Sequence, residues 1–102
     1  MHIEIRARNV ELTPVLRAHV ERRLGFALGR FASRINRVVV RITDVNGPHG
    51  GNDKRCRIGV NLLRLKSVVV DDLDRNPFAA IDRAADRAGR CVARHLAWCH
   101  DV

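Results

Sequence analysis

Four arginines recur at helical spacing in the last quarter of the chain, at positions i, i+4, i+7 and i+11. With about 100° of rotation per residue, these positions fall within a sector of about 60° on one side of a helix. A guanidinium donates paired hydrogen bonds to phosphate and also stacks on bases. The pattern therefore indicates a ligand with many phosphates, and the four residues are Arg83, Arg87, Arg90 and Arg94.

Such a ridge of like charges carries an energetic cost when it has no partner. Neighbouring cations on a helix repel by about 0.2–0.5 kcal/mol per pair, and Asp82 and Asp86, to one side, offset this only partly. Phosphates would neutralise the ridge, so RNA binding is the leading interpretation. The alternative is a solvated helix face, which is how most charge runs are explained.

Further arginines lie off the apolar stripe of an earlier predicted helix, and Arg34 follows its end. If both helices cover the same face of a sheet, the two basic surfaces form one field. The predicted RNA-binding residues are Arg22, Arg23, Arg30, Arg83, Arg87, Arg90 and Arg94.

Composition supports a polyanionic partner. The 102 residues suit one domain, residues 1–102, and carry 19 Lys and Arg against 11 Asp and Glu, for a formal net charge of +8. Such an excess indicates nucleic acid or an acidic membrane surface. No apolar stretch approaches the roughly 20 residues that cross a bilayer. An odd number of cysteines and no signal-peptide pattern predict a cytoplasmic protein with reduced thiols.

Aromatic residues are scarce, at 4% of the chain, and most are expected at core positions. Platforms on which single-stranded bases could stack are therefore few. Recognition of the shape and phosphates of folded RNA fits better than sequence-specific reading of single strands.

Candidate metal and catalytic residues are weaker. Cys91, His95 and Cys99 recur every fourth residue on the last helix, but i and i+8 lie about 12 Å apart, too far to share one zinc ion. Completion of such a pair by Cys56 is conceivable, although buried thiols explain the pattern more simply. We expect no metal, no cofactor, no small-molecule substrate and no enzymatic activity.

An acidic run precedes the last helix and offers a second candidate. Asp71, Asp72 and Asp74 could hold magnesium in a small hydrolase. Acidic residues before a helix more often act as caps and complement its dipole, so we predict that role instead.

Period-two and helical patterns give an α+β fold in the order β-α-β-β-β-α. A four-stranded, mostly antiparallel sheet with both helices on one face satisfies that order, and its first two strands should be parallel.

Thr13–Pro14 and Asn76–Pro77 are predicted helix starts, and Gly25 and Gly29 are candidate sites of close helix packing. The predicted strands cover residues 3–7, 37–43, 56–62 and 65–70; the helices start at Pro14 and Pro77, the second ending near Trp98, and residues 44–53 form a loop.

Three stretches of the chain resemble the ribosome hibernation promoting factor and ribosome-associated inhibitor A family. They are residues 5–16 (IRARNVELTPVL), 31–38 (FASRINRV) and, above all, 76–94 (NPFAAIDRAADRAGRCVAR). Their order and spacing cover nearly the whole chain. The family often has a tyrosine where this chain has Phe78, and we expect this protein to lack the additional C-terminal domain that long members carry.

The resemblance implies a fold similar to double-stranded RNA-binding domains. It also implies binding to 16S rRNA of the small ribosomal subunit, over the mRNA and tRNA positions of the decoding region, where such proteins silence or store ribosomes under stress or in stationary phase. The family's basic helix positions match Arg23, Arg87, Arg90 and Arg94, with Arg83 on the same ridge. The alternative is a general double-stranded RNA or polyanion-binding module without ribosome preference. Whether the protein promotes ribosome pairing, and whether it self-associates through an edge strand, stays open.

Overall fold

The structure is a computed structural model that describes residues 1–45 and 53–99, without the side chains of residues 98 and 99. Most of the predicted 44–53 loop, and the side chains of Trp98 and Cys99, therefore lie outside the described part. The elements are strand β1 (His2–Arg8), helix α1 (Pro14–Leu28), a 3-10 helix (Gly29–Arg34), strands β2 (Ile35–Asp44), β3 (Lys54–Leu62) and β4 (Val68–Asp74), and helix α2 (Pro77–Cys99). The predicted α+β order is confirmed.

The four strands form one mixed sheet in the order β1-β2-β3-β4. Strand β1 runs parallel to β2, as expected for two strands joined through a helix, and the β2–β3 and β3–β4 pairs are antiparallel. Alternation along each strand places one set of side chains beneath the helices and the other on an uncovered face. On β3, for example, Cys56, Ile58 and Val60 are buried whereas Arg55 and Arg57 are exposed.

A single hydrophobic core joins the covered face of the sheet to both helices. The stripe predicted for α1 is buried at Leu16, Val20, Leu24 and Leu28. On α2, the apolar side chains opposite the arginine ridge, Ile81, Ala85, Ala88, Val92 and Leu96, are buried, and Phe78 packs against the core partly buried. The core therefore fixes the rotation of both helices, and with it the direction in which their arginines point.

Both helix starts follow the predicted chemistry. The Thr13 hydroxyl accepts a hydrogen bond from the Leu16 amide at 3.1 Å, and Pro14 occupies the first helical position. At α2, the Asn76 side chain accepts a hydrogen bond from the Phe78 amide at 2.9 Å. Each cap satisfies an amide that the helix itself leaves without a partner.

Strand β4 differs from its prediction. It begins at Val68 rather than residue 65 and continues through the acidic run to Asp74. We had expected these acidic residues to lie between the strand and the helix, as caps and dipole partners. The carboxylates are instead accommodated on both faces of the strand. Asp71 pairs with Arg57 of β3, and Asp72 pairs with Arg83 of α2.

The turn between β3 and β4 contains Arg64 with a φ of 64°, in the left-handed region that usually selects glycine or asparagine. The sequence has no glycine, asparagine or proline at residues 63–65, so no local signal marks this turn.

Close helix packing involves a different glycine from those predicted. A Cβ atom added at Gly25 or Gly29 would meet no atom within 4 Å. At Gly89 of α2 it would lie 2.9 Å from the carbonyl oxygen of Ala27 in α1. The missing side chain at Gly89 therefore permits the two helices to approach each other at this point.

Candidate nucleic-acid interface

A groove of about 670 Å³ opens between the C-terminal parts of α1 and α2. Gly89 and Ala27, which approach each other closely, line it together with Arg90 and Arg94 of α2 and Arg30 of the 3-10 helix. The lining residues are Phe26, Ala27, Arg30, Asp86, Gly89, Arg90, Ala93 and Arg94. We refer to these residues as the interhelical groove.

Arg90 and Arg94 are the part of the predicted ridge that faces the groove. Both side chains are exposed, and neither forms an ion pair within the described residues. Arg94 Nη2 lies 3.8 Å from the sulfur of Cys91, a weak contact that leaves its other donors unused. These two guanidinium groups can therefore donate hydrogen bonds to an incoming phosphate.

Arg30 contributes a third cation from the opposite side. Its guanidinium carbon lies 4.5 Å above the centroid of the Phe31 ring. This cation–π contact holds the side chain at the groove while leaving its charge uncompensated. Three arginines from two elements thus converge on one opening.

Phe26 is the unexpected member of the groove, because its side chain is 87% exposed. Most aromatics were expected in the core, yet this exposed side chain lines the groove together with Arg30, Arg90 and Arg94. A pattern in the sequence anticipates it: Phe26 lies outside the Leu16–Val20–Leu24–Leu28 spacing that marks the buried stripe. The helices therefore present one aromatic surface on which a base could stack.

Arg83 and Arg87, the other half of the ridge, are already neutralised by β4. Arg83 Nη2 lies 3.1 Å from Asp72 and 2.9 Å from Asp74, and it donates to the Leu73 carbonyl at 2.9 Å. Arg87 donates to the Asp71 carbonyl at 2.6 Å. Asp72 also lies 3.4 Å from Arg87, so one carboxylate serves both arginines.

This network shifts two pKa values. The pKa of Asp74 is lowered, first by the hydrogen bond from the Asn76 amide and then by that from Arg83. The pKa of Arg83 is raised above its already high value by the hydrogen bonds to Asp72 and Asp74. Both groups therefore stay ionised throughout the neutral range.

On α1, Arg23 and Arg22 have different surroundings. Arg23 is half-buried and pairs with Asp82 and Asp86 of α2 at 3.3 and 3.1 Å. Arg22 is exposed and lies 3.3 Å from the Nδ1 atom of His19, whose Nε2 is 2.6 Å from Asp82. Arg23 thus ties the two helices together, whereas Arg22 remains available at the surface.

The seven predicted residues consequently fall into distinct groups. Arg30, Arg90 and Arg94 converge on the interhelical groove, with Arg22 exposed one turn before it on α1. Arg23 is paired between the helices, and Arg83 and Arg87 are paired with β4. Periodicity gave the sector that the ridge occupies, but the neutralising carboxylates belong to other elements.

The thiols and carboxylates considered as metal ligands are dispersed. Within the described part of the chain, no group of three or more histidine, cysteine or acidic side chains is placed to hold a metal ion. Cys56 is buried beneath the helices, and burial raises its pKa to about 12, with Asp72 and Asp71 adding to the effect. Asp71, Asp72 and Asp74 are engaged by arginines rather than grouped around an open site.

A known protein family matches nearly the whole chain. Residues 3–97 match the model for the sigma 54 modulation protein / S30EA ribosomal protein family. The chain belongs to this family. Its sequence is also 32% identical to that of the Protein Y N-terminal domain from Thermus thermophilus, whose crystal structure it matches with a TM-score of 0.77. The match covers 92% of this chain and 98% of that one.

A second solved structure shares the fold of this S30EA family member. It is a ribosomal subunit interface protein from Coxiella burnetii, with a TM-score of 0.78, 16% identity, and coverage of 95% of this chain and 99% of that one. No curated protein sequence matches the chain. Among the described residues, no helix is both long and apolar enough to span a bilayer.

Proposed function

We propose that the protein is a cytoplasmic, non-enzymatic ribosome-associated factor that binds 16S rRNA of the small subunit and silences or stores ribosomes under stress. Its single domain binds the phosphates of folded RNA through the interhelical groove. The observation that carries the proposal is the convergence of Arg30, Arg90 and Arg94 on one opening, in a chain that belongs to the S30EA family.

The charge arrangement favours a nucleic-acid backbone over a small anion. The groove is an open trough along two helices rather than an enclosed cavity, so it suits a continuous chain of phosphates. Asp86 on the same rim is engaged by Arg23 at 3.1 Å, which reduces its repulsion of an approaching phosphate. Arg22 extends the basic surface along α1, and RNA phosphates would then compete with Asp72 for Arg83 and Arg87.

The experiment is sedimentation of the protein with purified small subunits through sucrose gradients at two salt concentrations. The groove variant replaces Arg30, Arg90 and Arg94 with Gln. A matched control replaces Arg17, Arg34 and Arg75 with Gln, which removes the same charge from exposed positions outside the groove. Circular dichroism should show that both variants remain folded, because all six side chains are exposed.

We expect the wild type and the control to migrate with the subunit at both salt concentrations. The groove variant should no longer migrate with it. Each phosphate contact contributes roughly one unit to the slope of log affinity against log salt, so the groove variant should lose about three units. Equal loss in both variants would contradict a defined groove. Equal affinity of the wild type for duplex RNA and for subunits would favour a general polyanion-binding module.

A further inference from the structure

The uncovered face of the sheet carries a second concentration of arginines. Along the strands, alternation places six arginines and only two carboxylates, Glu4 and Asp71, on the side away from the helices. The arginines are Arg6, Arg8, Arg37, Arg41, Arg55 and Arg57, and we call this surface the sheet face. The sheet and the helix layer separate it from the interhelical groove, so the two surfaces point in opposite directions.

The strand register aligns three of these cations in one row. Arg6 of β1 lies opposite Arg41 of β2, and Arg41 lies opposite Arg57 of β3. Side chains at such positions are separated by about 5 Å, and like charges there destabilise a sheet. A central arginine between two others is thus an unfavourable arrangement unless an anion binds to it.

Internal partners compensate the row only at its ends. Arg57 forms two hydrogen bonds with Asp71, at 3.2 and 3.3 Å, and Arg6 pairs with Glu4 on its own strand. Arg41, at the centre, forms no ion pair with a described residue. Among the described residues, Arg8, Arg37 and Arg55 also form no ion pair, so four of the six arginines of the sheet face retain uncompensated charge.

A shallow depression of about 300 Å³ lies beside this row at the β1–β2 edge. Arg6, Arg8 and Arg41 line it, together with Ala7 and Thr43. A phosphate seated there would receive donors from two adjacent strands. The depression therefore gives the charged face a local point of attachment.

We propose that the sheet face binds a second RNA segment through its phosphodiester backbone, so that one molecule contacts RNA on two opposite sides. Arginine supplies every cation on this face, and its planar fork suits phosphate better than a lysine point charge. A protein partner would be expected to need an apolar centre. The exposed apolar side chains of the sheet face, Val69 and Leu73, lie instead on β4, away from the depression.

The first test measures binding of a fluorescent RNA duplex in the background of the groove variant, in which Arg30, Arg90 and Arg94 are replaced by Gln. One derivative adds Arg8→Gln, Arg41→Gln and Arg55→Gln. The matched derivative adds Arg17→Gln, Arg34→Gln and Arg75→Gln, which gives the same net charge. Circular dichroism confirms that each variant is folded before binding is compared.

We expect the groove variant to retain salt-sensitive RNA binding, the sheet-face derivative to bind at least tenfold more weakly, and the matched derivative to bind within twofold of its parent. Complete loss of binding in the groove variant overturns the proposal. Equal weakening in the two derivatives overturns it as well, because net charge alone would then explain the effect.

The second test asks whether one protein can bind two duplexes at once. The wild-type protein is bound to an immobilised RNA duplex, and the retention of a second, labelled duplex is measured. Capture should fall at least tenfold when only the three sheet-face substitutions are present, while binding to the immobilised duplex persists. Capture of polyglutamate in preference to RNA would identify an acidic protein as the partner and reject the proposal. Neither test contains ribosomes, so failure of small-subunit binding is distinguishable from failure of the sheet face.

Discussion

The Cα of Gly89 lies so close to α1 that a Cβ atom on it would stand 2.9 Å from the carbonyl oxygen of Ala27. That oxygen belongs to the backbone and cannot rotate away. The distance between the helices, and hence the spacing of the arginines on either side of the groove, therefore depends on the absence of one side chain.

Replacing Gly89 with Ala should destabilise the protein. Overpacking costs about 1–3 kcal/mol, which exceeds the gain of up to about 1 kcal/mol from better helix propensity. Thermal unfolding followed by circular dichroism measures the difference. Gly25→Ala is the control, because that position has free space and the same propensity gain should stabilise it. A stabilised Gly89→Ala protein would contradict the close approach.

Phe26→Ala should weaken RNA binding without lowering stability. The side chain is 87% exposed, so its removal should change the free energy of unfolding little. A base stacked on the ring would contribute about 1–3 kcal/mol to the free energy of RNA binding. Titration of RNA against the variant by fluorescence anisotropy measures the loss. Val15→Ala is the matched control, since Val15 is also an exposed apolar residue of α1 but lies about 16 Å along the helix from Phe26. Unchanged affinity for Phe26→Ala would mean that no base stacks there.

Asp72→Asn should increase RNA affinity and decrease stability. Asp72 pairs with Arg83 and Arg87 at 3.1 and 3.4 Å, so removal of its charge leaves Arg87 without a carboxylate partner and Arg83 with Asp74 alone, and phosphates then compete for both guanidinium groups more easily. The salt slope of binding should steepen by up to about two units. Binding isotherms at several salt concentrations, with a parallel melting curve, test both effects. The same slope as the wild type would show that these arginines do not contact RNA.

Cys56 should resist alkylation at neutral and mildly alkaline pH. Burial raises its pKa to about 12 from 9.0, so the reactive thiolate is scarce in the folded state. Because the folded pKa exceeds the unfolded one, this thiol contributes stability that is present below about pH 9 and lost as the pH rises toward 12. Iodoacetamide labelling with peptide mass spectrometry should find Cys91, which is only half-buried, modified before Cys56. Rapid labelling of Cys56 in native protein would contradict its placement in the core.

Local sequence patterns anticipated the elements whose stabilising contacts are local. The Thr13 and Asn76 caps bond to amides two or three residues away, and α2 has an uninterrupted apolar stripe. Strand β4 was mispredicted because aspartates disfavour strands in isolation. Its acidic residues are stabilised by Arg57 and Arg83, which come from other elements.

The same distinction applies to the arginine ridge. Helical spacing correctly placed Arg83, Arg87, Arg90 and Arg94 on one helix, because that relationship is local. The division between paired and free arginines depends on Asp72 and Asp74 of β4, which pair with Arg83 and Arg87 and not with Arg90 or Arg94. Gly89 shows the same limit: a glycine in a helix pattern does not reveal which neighbouring backbone it approaches.

Strand β1 is paired with β2 alone, from His2–Arg37 to Arg8–Thr43, so every partner lies 35 residues further along the chain. During synthesis at about 5–20 residues per second, β1 waits about 2–7 s before its partner exists. Until then it is an unpaired segment that contains two of the sheet-face arginines. The strand that is made first therefore cannot be the first to fold, and the two-sided arrangement of arginines is complete only after Arg90 and Arg94 of α2 have been translated.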